Sequence, residues 1–224
     1  MACLLACVPA RAAVPPTVTV SGLGTILRDP DQATLSLSIV TNSNVAASAT
    51  SANNGLYNAL VARMHGSGIT AAAIKTTSYD LNFVPKPPPG NNYEPPQTGF
   101  IVTRSLSITI DNLSNVGGII DAAVAAGVTQ VSGVNFGLRD ERGAHAAALA
   151  AAVEDAAAQA AAIAQAAHMR LGTIRNITTL QNAQVFAPQV VRLAVRPPAP
   201  VPTEIAPSSI EIQATVTVTY ALAP

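Results

Sequence analysis

Between Thr17 and Ile39 the chain alternates apolar and polar residues on both sides of one tight turn, and this pattern constrains the fold more than any other. Val18 and Val20 alternate with Thr17, Thr19 and Ser21; Ala33, Leu35, Leu37 and Ile39 alternate with Thr34, Ser36 and Ser38. Successive strand side chains point to opposite faces, so each run is a strand with one apolar and one hydroxylated face. Asp29-Pro30-Asp31 separates them. Pro30 presets φ for the second turn position, and Asp29 can cap the backbone before it. The pair reads as an antiparallel hairpin buried on one face only.

The rest of the chain continues in strands and helices. Asn44 to His65 lacks proline and carries Leu56, Leu60, Val61 and Met64 at helical spacing, with Gly66 and Gly68 as the stop. Ile74 to Val84 alternates, with Thr77, Tyr79, Leu81 and Phe83 on one side. After Pro85–Gly99, which holds six prolines, Phe100 to Asp111 places Val102, Leu106, Ile108 and Ile110 on one face. Arg104 falls on that same apolar face, either at a strand end beside a carboxylate or at a subunit contact, with the contact preferred. Asn112 to Ala126 reads as a short helix closed by Gly127, and Val128 to Leu138 as a strand.

Asp140 to Met169 reads as the longest helix, capped by Asp140 or Glu141. Its apolar stripe is expected along Leu149, Val153, Ala156, Ala160, Ile163 and Ala167. Such an alanine-rich face is thin, so the helix should lie close to the sheet it covers. Leu171 to Gln181 is a strand, Asn182 to Ser208 a second loop with six prolines, and Ser209 to Tyr220 a cleanly alternating closing strand. Each half thus repeats helix, strand, Pro-rich loop and strand, which predicts that both loops leave equivalent ends of equivalent hairpins. Connections this long are often functional.

Composition narrows the function classes. Charged residues make up 11% of the 224, with net charge zero, against about 25% in ordinary soluble chains. Weak charge favours self-association. The twelve Lys and Arg are scattered, so no basic stripe exists to neutralise nucleic-acid phosphates. The two cysteines, Cys3 and Cys7, lie in MACLLACVPARAA, whose Ala10-Arg11-Ala12 matches an A-x-A cleavage site. Residues 1–12 therefore read as the remnant of an export signal and 13–224 as a single domain. The alternatives are a lipid anchor through Cys7 and a tail of a cytosolic protein. No later run reads as the roughly twenty apolar residues of a transmembrane helix.

Chemistry is hard to find in this chain. His65, His145 and His168 lie far apart in sequence, outside metal-ligand spacing, so no metal and no cofactor is expected. His65 and His168 instead fall near helix C-termini, where partial positive charge suits the dipole. There is no G-x-S-x-G elbow, and Gly22-x-Gly24 lacks the third glycine of a dinucleotide loop. Asp140-Glu141 and Glu154-Asp155 read as a cap and a solvated face. No catalytic residue is assigned.

The segment from Val20 to Ile39, with Gly22, Gly24, Asp29-Pro30-Asp31 and Ala33, resembles the opening of the SIMPL-domain (DUF541) family, the periplasmic immunogenic protein group. The likeness continues through Gly68-Ile69, Lys75-Thr76, Gly99-Phe100-Ile101-Val102, Gly127 to Phe136, the Ala-rich helix with Leu171-Gly172, and Ile210 to Tyr220. Phe100 departs from a common tyrosine, and the loops are unusually rich in proline. The resemblance implies an exported cell-envelope protein, linked to oxidative-stress tolerance, that forms large ring- or channel-like oligomers. Family and residues together give an α+β fold class: antiparallel-rich sheets packed by a long Ala-rich helix and two shorter helices, with two Pro-rich loops. The expected function is non-enzymatic self-assembly in the periplasm as a homo-oligomer, with Tyr93, Phe100, Arg104, Phe186, Val190 and Arg192 as contact residues. The competing reading is a periplasmic module whose Pro-rich loops bind another envelope protein as extended ligands. A hydrolase with a cryptic site is the third.

Overall fold

Alternation becomes strands where the apolar face finds a helix to cover it. The computed structural model describes residues 15–86, 98–179, 185–186 and 207–224. In chain order the elements are β1 (Thr17–Arg28), β2 (Gln32–Ser43), α1 (Ala46–Gly66), β3 (Ile74–Val84), β4 (Gly99–Ile110), α2 (Val116–Ala125), β5 (Gln130–Gly137), α3 (Glu141–Ala166), β6 (Arg170–Thr179), β7 (Val185–Phe186) and β8 (Ile210–Ala223). The fold class is α+β, with two antiparallel sheets and three helices. One domain was expected over 13–224; the described residues gather into two compact units.

The first unit is a sheet ordered β3-β4-β2-β5 with α1 and α2. Leu35, Leu37 and Ile39 of β2 and Leu106, Ile108 and Ile110 of β4 form its core with Leu60 and Met64 of α1 and Ile119 of α2. β2 and β4 pair antiparallel without a break from Ala33–Ile110 to Ser43–Phe100. β3 pairs β4 with one bulge, between Thr76 and Ser78. The bulge makes Thr77 an extra residue, so it does not continue the row of Tyr79, Leu81 and Phe83 as the simple alternation predicts. α2 ends at Gly127, whose φ of +93° is open to glycine at little cost.

The second unit is a sheet ordered β1-β8-β6, with β7 paired to β8, and the long helix α3. Val18, Val20, Val216, Val218 and Tyr220 meet Ala152, Ala156 and Ala160 in its core. The buried row of α3 is Ala144, Ala148, Ala152, Ala156, Ala160 and Ala164, a strict step of four. This corrects the predicted stripe: Ile163 is 46% exposed and Ala167 is exposed, while Leu149 and Val153 pack at the margin. Small residues win the face because β1 comes close. A Cβ on Gly22 would overlap the Ala152 carbonyl oxygen and sit 2.6 Å from the Ala156 nitrogen. On Gly24 it would overlap the Ala148 oxygen and sit 2.5 Å from the Ala152 nitrogen. The Leu23 N–H also donates to Asp155 Oδ2 at 2.9 Å, which caps the β1 backbone with an α3 side chain.

The expected β1–β2 hairpin does not form. β1 pairs with β8, and β2 with β4 and β5. Asp29-Pro30-Asp31 therefore joins two sheets. Its carboxylates hold neighbouring segments: Asp31 Oδ1 accepts from the Arg139 N–H at 2.7 Å, and Asp29 Oδ1 accepts from the Ser209 hydroxyl at 2.7 Å. The predicted echo is present, since α1–β3–β4 and α3–β6–β8 have the same order and both strand pairs are antiparallel. Both long connections leave the same end of their hairpins. By length and composition α3 could also cross a membrane, contrary to the sequence-based expectation that no later run could; in this fold its alanine row lies on a sheet.

Candidate functional site

The β3–β4 ribbon carries the described features that look least like plain scaffold. Arg104 points to the core face of β4, opposite Tyr79 on β3 and Ile39 on β2. Its guanidinium lies 4.3 Å from the Tyr57 ring centre and 4.9 Å from that of Tyr79, and Nη2 donates to Asn54 Oδ1 at 2.6 Å. α1 supplies Asn54 and Tyr57, three residues apart and hence on one helix face. Two rings and an amide hold the cation in place of a carboxylate. The strand-end position beside Asp or Glu is thereby corrected: Arg104 sits mid-strand, with its partners in its own chain.

Beside it, Asn53 is fully buried and donates from Nδ2 to the Ile39 carbonyl at 3.0 Å. Asn53 Oδ1 and Arg104 Nε are both buried without a hydrogen-bond partner, one an acceptor and one a donor, against the same Ile39–Arg104 register pair. The arrangement locks the arginine; it does not present a free fork to an anion.

From this point the ribbon runs out into an exposed apolar row. Tyr79 (43% exposed), Leu81 (47%) and Phe83 (60%) continue on the core face of β3, and Phe83 meets Phe100 of β4 with ring centres 4.9 Å apart. The edge strand of the other unit, β6, likewise exposes Ile174 and Ile177. Exposed apolar rows on edge strands mark interaction surfaces.

Of the six contact residues expected from sequence, Phe100 and Arg104 share one face of β4. Phe186 belongs to the two-residue strand β7 beside β8. Tyr93, Val190 and Arg192 lie outside the described residues, as do Cys3 and Cys7. Sequence reasoning placed Tyr79, Leu81 and Phe83 on one strand face and passed over them as contacts, because alternation shows a face and not whether anything covers it.

Catalytic geometry is a different matter. A cleft of about 260 Å³ lies between Ser67–Thr70, Asp111–Asn112 and Ile119. Its carboxylate, Asp111, is already engaged, with Arg139 Nη2 at 3.0 Å and Gln32 Nε2 at 3.1 Å. Among the described residues no three His, Cys, Asp or Glu side chains gather as metal ligands.

A family model, SIMPL, described as a protein of unknown function (DUF541), matches residues 18–220. The chain belongs to the SIMPL family. It is similar to the 26 kDa periplasmic immunogenic protein of Brucella abortus (strain S19), with 30% identity over 190 residues, 84% of this chain and 70% of that protein. The protein of the same name from Brucella melitensis biotype 1 matches to the same extent, 30% over 190 residues. The SIMPL match runs through both compact units, from β1 to β8, so the two glycines against α3 and the aromatic edge of β3 both fall within it.

Proposed function

We propose that this SIMPL protein is a non-enzymatic component of the periplasm that works by assembling into a large ring- or channel-like homo-oligomer. The observation that carries the reading is the uncovered row Tyr79, Leu81 and Phe83, with Phe100, on an edge strand leading into a Pro-rich connection. Zero net charge on a sparsely charged chain leaves little repulsion between copies. The relatives' name supports the compartment. α3 is read as a sheet-packed helix, with its alanines buried on β1, and not as a membrane span. On this reading stress tolerance, where it accompanies the protein, is a consequence of assembly: cleavage at the Ala10-Arg11-Ala12 pattern would remove both cysteines.

Light scattering across a dilution series tests the reading. A stable mass many times the protomer is expected, and removal of residues 86–97 is expected to reduce it. A deletion variant of unchanged mass would exclude that loop from assembly, and a monomer at every concentration would refute the proposal. The second reading, a module presenting Pro-rich loops to an envelope protein, is favoured by both loops leaving corresponding hairpin ends. It predicts a monomeric or dimeric chain whose partner is lost on deleting residues 183–207.

A further inference from the structure

We infer that β3 is the contact by which two copies of this chain join, pairing antiparallel with its own counterpart about a two-fold axis so that Lys75 of each copy faces Asp80 of the other. This inference rests on the self-assembly reading and specifies one interface within it.

The edge itself is open. β3 is the outer strand of its sheet, eleven residues long and free of proline, and Lys75 to Phe83 are all exposed. An edge strand presents unpaired N–H and C=O groups, which a second strand satisfies. A second copy is the occupant because the strand is complementary to itself.

That complementarity follows from the bulge. Ile74 and Thr76 lie opposite Ile108 and Leu106, while Tyr79 and Leu81 lie opposite Arg104 and Val102, so all four share the core face. Lys75 and Asp80 share the other face. In a regular strand, like faces meet across a two-fold only when residues of equal parity pair. The extra residue Thr77 reverses this, so that across the bulge like faces meet only when odd pairs with even. The register that centres the bulge puts Ile74 opposite Leu81, Thr76 opposite Tyr79 and Lys75 opposite Asp80.

Charge then selects among the permitted registers. A shift of two residues either way keeps like faces together for pairs that span the bulge but sets Lys75 opposite Ser78 or Asn82, with Asp80 away from any lysine. Only the centred register joins the two charges, and the two-fold makes the pair twice. Neither Lys75 nor Asp80 has an ionic partner among the described residues. Opposite charges directly across an antiparallel pair are favourable and like charges unfavourable. The bulge, commonly an edge-protecting device, here sets the face parity so that the strand matches a second copy of itself in the centred register.

The test uses the full chain and three variants: Lys75→Asp, Asp80→Lys and the double exchange. All substitutions are on exposed positions, and a circular-dichroism melt verifies folding. Sedimentation velocity over a dilution series reads the concentration of half-dissociation. Each single variant sets like charges together twice, which should raise that concentration about tenfold or more. The double exchange restores both pairs and should return it to within about threefold of the original. Singles that assemble like the original chain would overturn the β3 contact while leaving self-assembly by another surface standing. Equal weakening in singles and double would overturn the Lys75–Asp80 opposition. An original chain that is monomeric throughout would overturn both this inference and the assembly reading.

Discussion

Replacing Gly24 by alanine adds one methyl group where two backbones already touch. The new Cβ would overlap the Ala148 carbonyl oxygen and stand 2.5 Å from the Ala152 nitrogen. Neither atom belongs to a side chain that could rotate away. To reach ordinary contact the strand and helix must part by about 1.5 Å, which opens the alanine row on both sides of the site. Overpacking of this kind costs about 1–3 kcal/mol. Displacing β1 also strains the Leu23 N–H bond to Asp155, a charge-assisted bond worth about 1.5 kcal/mol or more. The sum is about 2.5–4.5 kcal/mol, or roughly 5–18 °C in Tm for a chain of this size. Thermal unfolding followed at 222 nm measures it. Gly55→Ala is the control: it lies in the exposed interior of α1 with nothing within 4 Å of its Cβ, and should gain about 1 kcal/mol from helix propensity. A Gly24→Ala protein melting within a degree of the original would refute close approach of β1 and α3.

Two further outcomes follow from local geometry. His168 holds φ at 55°, and the bonds Met169 N–H to Ala164 O and His168 N–H to Gln165 O close α3 as Gly68 closes α1. His168→Gly should therefore raise stability by about 1 kcal/mol, read from urea midpoints. In a double-mutant cycle, Arg104→Ala and Tyr57→Ala should show a coupling of about 0.5–2 kcal/mol; additive losses would mean that the ring does not hold the cation.

Strand positions were legible in the sequence because alternation and burial share a period of two, as in Ile210 to Tyr220 and Ala33 to Ile39. Strand partners were not. A tight turn between two alternating runs looks the same whether the runs pair with each other or enter different sheets, and at Asp29-Pro30-Asp31 they enter different sheets. Gly22 and Gly24 held the missing information, since a strand interior that keeps glycine twice on one face is approached there by another backbone. The α3 stripe was displaced because Leu149, Val153 and Ile163 drew the expected line through large residues, whereas contact with a glycine-bearing strand selects the smallest. At the candidate site, Arg104 was visibly out of place on an apolar face. Its partners Asn54, Tyr57 and Tyr79 come from distant positions that only the fold brings together.

The alanine row of α3 has a repeat of four, and four residues overshoot one turn by about 40°. The buried line therefore winds around the helix, along the inclined ridge such a spacing makes. Gly22 faces Ala152 and Ala156, and Gly24 faces Ala148 and Ala152, so two residues of strand match one step of helix. A contact built this way is nearly periodic: sliding α3 by one step would lay alanine where alanine had been, with little change in buried area. Adhesion and position are thus set by different groups. The small residues supply the first, and the bond from Leu23 to Asp155, which fits one setting only, supplies the second. Without Asp155 the helix would keep its grip on the strand and lose its index mark.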